Sequence, residues 1–145
     1  MSALRIQLAE AIVAELNAAA LVPAFTARRR RIPIDDVKDL RDLQVSVLPA
    51  TYTEAMMSRQ ADQREYGVDV AVQQHLDSPQ ADADVLDELV EAILALFNRR
   101  RLSLADGFAA LWTGAANAPI YIPQHLAEKR VYTSVIRLTW KVVAP

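Results

Sequence analysis

Apolar residues recur at intervals of three and four positions in two stretches of the chain, and this spacing predicts two helices. In the first stretch, Leu4 to about Ala20, the apolar positions are Leu8, Ile12, Val13 and Leu16. In the second, residues 77–101, they are Leu86, Leu89, Val90, Ile93, Leu94 and Phe97. Acidic residues near the start of this second helix and the arginines 99–101 at its end are placed to complement the helix macrodipole.

Other segments alternate apolar and polar residues with a period of two, which predicts half-buried strands. These segments are residues 43–49, 66–74, 107–113 and 131–143. In residues 107–113 we expect the inward set to be Phe108, Ala110 and Trp112. A further strand is predicted over residues 25–31. Arginines occupy both of its faces at the far end, so that end must leave the core.

Two long polar connections interrupt this pattern, Pro49 to Glu65 and Gly114 to Arg130. The first exceeds the roughly 12 to 15 residues usual for a structureless loop in a compact domain, and such loops often carry function. It is therefore a candidate partner-docking loop, with these candidate residues: Tyr52, Met56, Met57, Arg59 and Arg64. Tyrosine and methionine there either form an adaptable contact surface or fold back on the sheet.

Composition limits the class of protein. A chain of 145 residues with 52% hydrophobic content closes one core, so we expect a single domain over residues 1–145. Sixteen basic against eighteen acidic residues give a formal charge of -2, which disfavours general attraction to DNA or to an anionic membrane. There is no cysteine, and no apolar run approaches the length of a membrane-spanning helix. We expect a soluble protein of the cytosol.

Candidate catalytic and metal-binding residues are few. His75 and His125 stand far apart, and Asp77 beside His75 makes a poor ligand pair alone. The acidic group Asp82, Asp84, Asp87 and Glu88 lacks the glycine and the spacing of a calcium loop, so helix capping explains it better. We predict no catalytic residue, no metal and no cofactor, which makes an enzyme the weakest class.

Four consecutive arginines, Arg28, Arg29, Arg30 and Arg31, are the strongest local charge in the chain. Arginine at an exposed strand end discourages edge-to-edge pairing of sheets, which is one explanation. A nucleic-acid patch is the less favoured one, because no second basic cluster and no interleaved aromatic residues accompany the run.

Four phrases carry a resemblance to a known family: "RRRRIPIDDVKDLRDLQVSVLP", "SRQADQREYGVDVAVQQHL", "LDELVEAILALF" and "APIYIPQHLAEKRVYTSVIRLTWKV". In this order they resemble the small tail-terminator, or tail-completion, proteins of tailed bacteriophages and prophages. The likeness runs from the first helix to the final strand. Head-closure and stopper subunits of the phage neck are similar in the same way, and both remain alternatives.

The resemblance implies an α+β fold, with a mixed or antiparallel sheet of about four to five strands and two main helices packed on one face. It implies a virion protein, made in the host cytoplasm, that forms a ring, usually a hexamer, at the head-proximal end of the tail tube. The ring would end tube polymerisation and contact the tail tube protein and a neck protein, with DNA passing through its lumen and no membrane involved. The family offers no catalytic residues.

A ring subunit must present one surface that complements a different surface of its neighbour. The candidate patches for such a subunit interface, or for the lumen, are Arg28, Arg29, Arg30, Arg31, Asp82, Asp84, Asp87 and Glu88. The alternative function is a small nucleic-acid-binding module that uses Arg28 to Arg31.

Overall fold

Helices and strands alternate irregularly along the chain in a computed structural model that describes residues 2–59 and 62–145. The helices are α1 (Leu4–Ala18), α2 (Pro79–Phe97) and α3 (Pro123–Lys129). The strands are β1 (Ala27–Arg29), β2 (Gln44–Met56), β3 (Asp62–His75), β4 (Arg101–Ser103), β5 (Ala109–Ala116) and β6 (Val131–Val143). Within this described part of the chain, no helix is long and apolar enough to cross a membrane.

All six strands form one sheet in the order β1-β2-β3-β6-β5-β4. β1 runs parallel to β2 and every other neighbouring pair is antiparallel, so the sheet is mixed. The predicted α+β class is confirmed. The strand count is higher than the four to five expected, because β4 has only three residues and is too short to show a period-two pattern.

The core lies between one face of the sheet and the apolar stripes of α1 and α2, as expected for two helices on one face. Val68 and Val70 of β3 pair with Leu138 and Ile136 of β6, and all four side chains are buried. Each strand directs alternate side chains to this face, which is why the period-two segments were recognisable.

Aromatic packing joins α2 to the sheet. The Phe97 ring meets Trp140 edge-on, with the ring centroids 5.9 Å apart, and both side chains are fully buried. Such edge-to-face geometry is favourable beyond the area that it buries. The end of α2 is thereby fixed over β6.

Shorter segments cover part of the opposite face. The side-chain amide of Gln73 donates to the Ile34 carbonyl at 2.8 Å and accepts from the Ile34 N–H at 3.0 Å. On the neighbouring strand β6, the Thr133 hydroxyl lies 3.0 Å from the Nδ1 atom of His125, which belongs to α3. These contacts hold the segment before β2 and the helix α3 against the polar side of the sheet.

The interpretation of Pro49 to Glu65 as a structureless connection is wrong. β2 continues to Met56 and β3 begins at Asp62, so most of this segment is a long β-hairpin. Residues 50–57 of this segment are exposed on both faces, and without one buried face there is no apolar alternation to reveal a strand. Residues 60 and 61 of that connection lie outside the described part of the chain.

Three smaller corrections concern segment ends. The second connection, Gly114 to Arg130, contains the end of β5 and the whole of α3. The strand predicted over residues 25–31 is shorter, Ala27–Arg29. The arginines 99–101 stand beyond the last turn of α2, because the chain becomes extended at Asn98, so they do not complement its dipole.

A partly buried hydrogen bond ties α2 to β6. The Tyr132 hydroxyl donates to Asp87 Oδ1 at 2.6 Å. Burial first, and this hydrogen bond second, raise the pKa of Tyr132 far above its ordinary value. Asp87, one of the candidate interface residues, therefore already has a hydrogen-bond partner within its own chain.

We expect Tyr132→Phe to lower the free energy of unfolding by about 1 to 2 kcal/mol, because Asp87 loses its partner. Urea unfolding at neutral pH measures this loss, and Tyr52→Phe, which removes a hydroxyl whose hydrogen bond to Glu54 is exposed to solvent, serves as the control with a much smaller effect.

The same hydroxyl gives a pH dependence. Because the pKa of Tyr132 is higher in the folded protein than in the unfolded chain, its contribution is complete below about pH 10 and is lost as the pH rises towards the folded-state pKa. The stability difference between wild type and Tyr132→Phe should therefore shrink above pH 10. A difference that stays constant to pH 12 would contradict this assignment.

Candidate assembly surfaces

The most prominent surface feature is the outer half of the β2–β3 hairpin, residues 50–57 and 62–65, which we call the arm. Residues 50–57 are exposed without exception, so the strand projects past the helices. Six paired positions from Thr51 to Met56, at about 3.3 Å each, give the arm a length of about 20 Å.

A bulge marks the root of the arm. The β2–β3 register shifts between Pro49 and Thr51, so an extra residue of β2 stands opposite β3 there. Thr51 then lies over Gly67, where an added Cβ atom would overlap the Thr51 hydroxyl. Glycine at this position therefore allows the close approach that sets the direction of the arm.

Tyr52 is held at the root of the arm. Its ring lies 4.8 Å from that of Tyr66, and the Arg5 guanidinium lies 5.6 Å from the Tyr52 ring centroid. The Tyr52 hydroxyl donates to Glu54 at 2.8 Å, which raises the pKa of Tyr52. For this residue, folding back on the sheet is the interpretation that the structure supports.

The tip of the arm is apolar and open to solvent. Met56 is 77% exposed and Met57 is 60% exposed. Of the two arginines expected in a docking loop, Arg64 lies 3.5 Å from Glu54, while Arg59 is exposed near the tip. The structure thus separates a fixed root from a tip with two exposed methionines.

The outer edge of the arm is open. β1 pairs with β2 only at Val45, Ser46 and Val47, and in the described part of the chain β2 has no other neighbour on that side. From Thr51 to Met56 the strand pairs with β3 alone. Its other backbone edge can accept a strand of another molecule.

The first two members of the arginine run, Arg28 and Arg29, lie on the edge strand β1, as expected if they discourage edge-to-edge pairing, and Arg30 and Arg31 follow that strand. Arg29 forms an ion pair with Glu10 at 2.6 Å, and Arg30 donates to the Ser46 hydroxyl at 3.0 Å. Arg28 and Arg31 are exposed and line separate grooves. Only these two present a full side chain to a partner.

Asn17 of α1 closes the outer edge of β1. Its side-chain amide accepts from the Ala27 N–H at 2.7 Å and donates to the Ala27 carbonyl at 3.2 Å. One side chain therefore satisfies both outward-facing backbone groups of that residue. β1 is protected from pairing where β2 is not.

The acidic group of α2 is not brought next to the arginine run in one subunit, since the grooves lined by Arg28 and Arg31 contain none of its members. Asp82 accepts from the Ser78 N–H at 3.3 Å, as expected for a residue in the first turn of a helix. Asp84 and Glu88 are exposed. These last two remain available for contact with another molecule.

The histidines lie apart, with His75 at the end of β3 and His125 in α3. Among residues 2–59 and 62–145, no group of three or more histidine or acidic side chains is arranged to hold a metal ion.

No protein-family model and no curated protein matches this chain. A solved structure whose name carries no functional description aligns with all of it, with a TM-score of 0.59 and 20% sequence identity over 100% of this chain and 98% of its own. At that identity the likeness concerns the fold alone.

Two surface features escaped the sequence analysis, the open edge of β2 and the Asn17 contact. The segment "TYT", residues 51–53, is rich in β-branched and aromatic residues and was the available signal for a strand. The contact between Asn17 and Ala27, ten positions apart, depends on tertiary packing, and no local sequence pattern predicts it.

We expect Asn17→Ala to lower the free energy of unfolding by about 1 to 2 kcal/mol, because two backbone groups of Ala27 lose their partners. The variant should also self-associate more at high concentration, since the edge of β1 becomes available. Urea unfolding and sedimentation velocity measure the two effects. Asn98→Ala, at an exposed position after α2, is the control, and equal behaviour of both variants would refute the role of Asn17.

Proposed function

We propose that this protein is a structural subunit of a tailed bacteriophage, a tail-terminator-like protein that forms a ring at the head-proximal end of the tail tube. The observation that carries the proposal is the arm, an ordered hairpin that has an open backbone edge and two exposed methionines at its tip. The sequence resemblance supplies the biological setting.

The physical argument concerns burial. Ordering a strand costs conformational free energy, and a strand exposed on both faces recovers little of it within its own subunit. A long exposed edge also invites uncontrolled pairing unless a specific partner covers it. An arm of this kind therefore suits a protein whose working state is an assembly.

The arrangement of surfaces fits a rotational ring. The arm extends from one end of the long strands, so it has no symmetric counterpart at the other end of the subunit. A contact between unlike surfaces is heterologous, and it closes into a ring when the rotation per subunit divides a full turn. Such a ring would stop tube growth by offering the tube one matching surface and the neck a different one.

Arg28 and Arg31 are the members of the arginine run suited to contact a neighbouring subunit or to face the lumen. Arg31 lines the groove at the root of the arm with Arg5 and Tyr52, where positive charge would favour an acidic neighbour. Charge complementarity of this kind sets partner choice and register more than affinity.

The test is the native mass of the purified protein by light scattering, with electron microscopy of any assembly and addition of purified tail tubes. A ring that binds tube ends and prevents their growth supports the proposal. A ring that binds neck components but never the tube would favour a head-closure or stopper subunit. A monomer that ignores tubes and binds DNA with strong salt dependence would favour the nucleic-acid module.

The double variant Arg28→Glu, Arg31→Glu should fold normally but raise the protein concentration needed for ring formation at least tenfold, which corresponds to about 1.4 kcal/mol. Light scattering across a dilution series gives this concentration, and thermal unfolding checks the fold. The double variant Lys38→Glu, Arg41→Glu makes the same change of charge at other exposed positions. Equal effects of the two double variants would show that only net charge matters.

A further inference from the structure

A second exposed apolar feature lies at the far end of the molecule. The N-terminal end of α2 and the helix α3 enclose a groove, which we call the α2–α3 groove. Its main lining residues are Pro79, Ala81, Tyr121, Pro123, Leu126 and Arg130. The adjoining residue Ile120 is 61% exposed. Apolar side chains thus dominate a surface that nothing within the described chain covers.

The groove and the tip of the arm lie at opposite ends of the sheet. Asp62, where β3 begins, pairs with Met56 at the tip. His75, where β3 ends, pairs with Val131, which follows α3 directly, and α2 begins four residues after His75. Fourteen residues of β3 at about 3.3 Å each separate the two features by roughly 40 Å. The arm of one molecule cannot reach its own groove.

The chemistry of the two features is complementary. The tip presents Met56 and Met57 beside the exposed carboxylate of Asp62. The groove presents apolar side chains and a single charged lining residue, Arg130. Neither Asp62 nor Arg130 has an ion-pair partner within the described residues. The tip thus offers apolar side chains with the Asp62 carboxylate beside them, and the groove offers an apolar lining with the opposite charge of Arg130 beside it.

The backbone fixes the position of Arg130. The residue caps α3 in a left-handed conformation, with φ of 54°, and its N–H donates to the His125 carbonyl. Its own carbonyl accepts from the Leu76 N–H at 2.7 Å. The Arg130 side chain is therefore carried by a hydrogen-bonded backbone at the rim of the groove.

We propose that the α2–α3 groove of each subunit receives the tip of the arm of the next copy, with Met56 and Met57 against the apolar lining and Asp62 paired with Arg130. The proposal rests on the proposed function, since it names the subunit contact of that ring. Methionine suits this role because its side chain adapts to an irregular groove. The contact is heterologous and repeats head to tail.

The first test uses disulfide trapping, for which the chain offers a clean background because it contains no cysteine. The double variant Met57→Cys, Ala127→Cys places one thiol at the tip and one at the groove. After mild oxidation at assembling concentrations, a non-reducing gel should show a ladder of linked chains ending at the copy number of the ring. The control Met57→Cys, Ala14→Cys, with the second thiol on an exposed position of α1, should give no ladder.

The second test reverses the charges. Asp62→Arg and Arg130→Asp should each raise the concentration needed for assembly at least tenfold, and the double variant carrying both should restore it towards the wild-type value. Lys129→Asp and Asp35→Arg are the matched controls at exposed positions outside the contact. Thermal unfolding of every variant excludes misfolding as the cause.

The outcomes separate the two proposals. Rings that form normally without a disulfide ladder, and without any effect of the single reversals, would overturn the docking of arm and groove and leave the proposed ring intact. Wild-type protein that never assembles, alone or with tail tubes, would overturn the proposed function and the docking together. A ladder with rescue by the double reversal establishes the contact.

Discussion

The central strands extend beyond the part of the sheet that the helices cover, and the rest of the structure depends on this difference. β3 pairs with β2 on one side and β6 on the other over nearly its whole length. α1 and α2 cover only the part of this sheet that carries the valines of β2 and β3. Backbone hydrogen bonding continues where side-chain burial stops, and the arm is the result. Its order comes from β3, while its exposed surface has no partner in the subunit.

The free edges of the sheet differ in whether their backbone groups are protected from pairing with another strand. The Asn17 side chain occupies the outward-facing backbone groups of Ala27, and arginines follow on the same strand. β4, at the other margin, has only three residues. A blocked or charged edge and a very short edge strand both discourage pairing with a strand of another molecule. The edge of β2 along the arm has neither protection, although it is the longest free edge in the described chain. This open edge is the reason for proposing the arm as an assembly surface.

The parts of the fold that one buried face defines were predictable from the sequence. The valines of β3 alternate because one side meets the helices, and the stripe from Leu86 to Phe97 repeats because one side of α2 meets the sheet. The arm was not predictable in this way, since Thr51, Thr53 and Glu54 meet solvent as Met56 does. The candidate surfaces show the same limit. The run Arg28 to Arg31 was recognisable as a local charge, but that Arg29 turns to Glu10 and Arg30 to Ser46 depends on tertiary packing. Asp87 likewise belongs to a contact inside the subunit, with Tyr132, 45 residues away.

Hydrogen exchange at the backbone amides of residues 51–56 examines most directly whether the arm is an assembly surface. The rates are compared between dilute protein and the assembled state, with β3 residues 68–72 as an internal reference that is buried in both. We predict that the amides on the open edge and at the tip exchange fast in dilute protein and become protected on assembly. Equal exchange of residues 51–56 in the two states would show that the arm remains exposed in the assembly and would contradict the account.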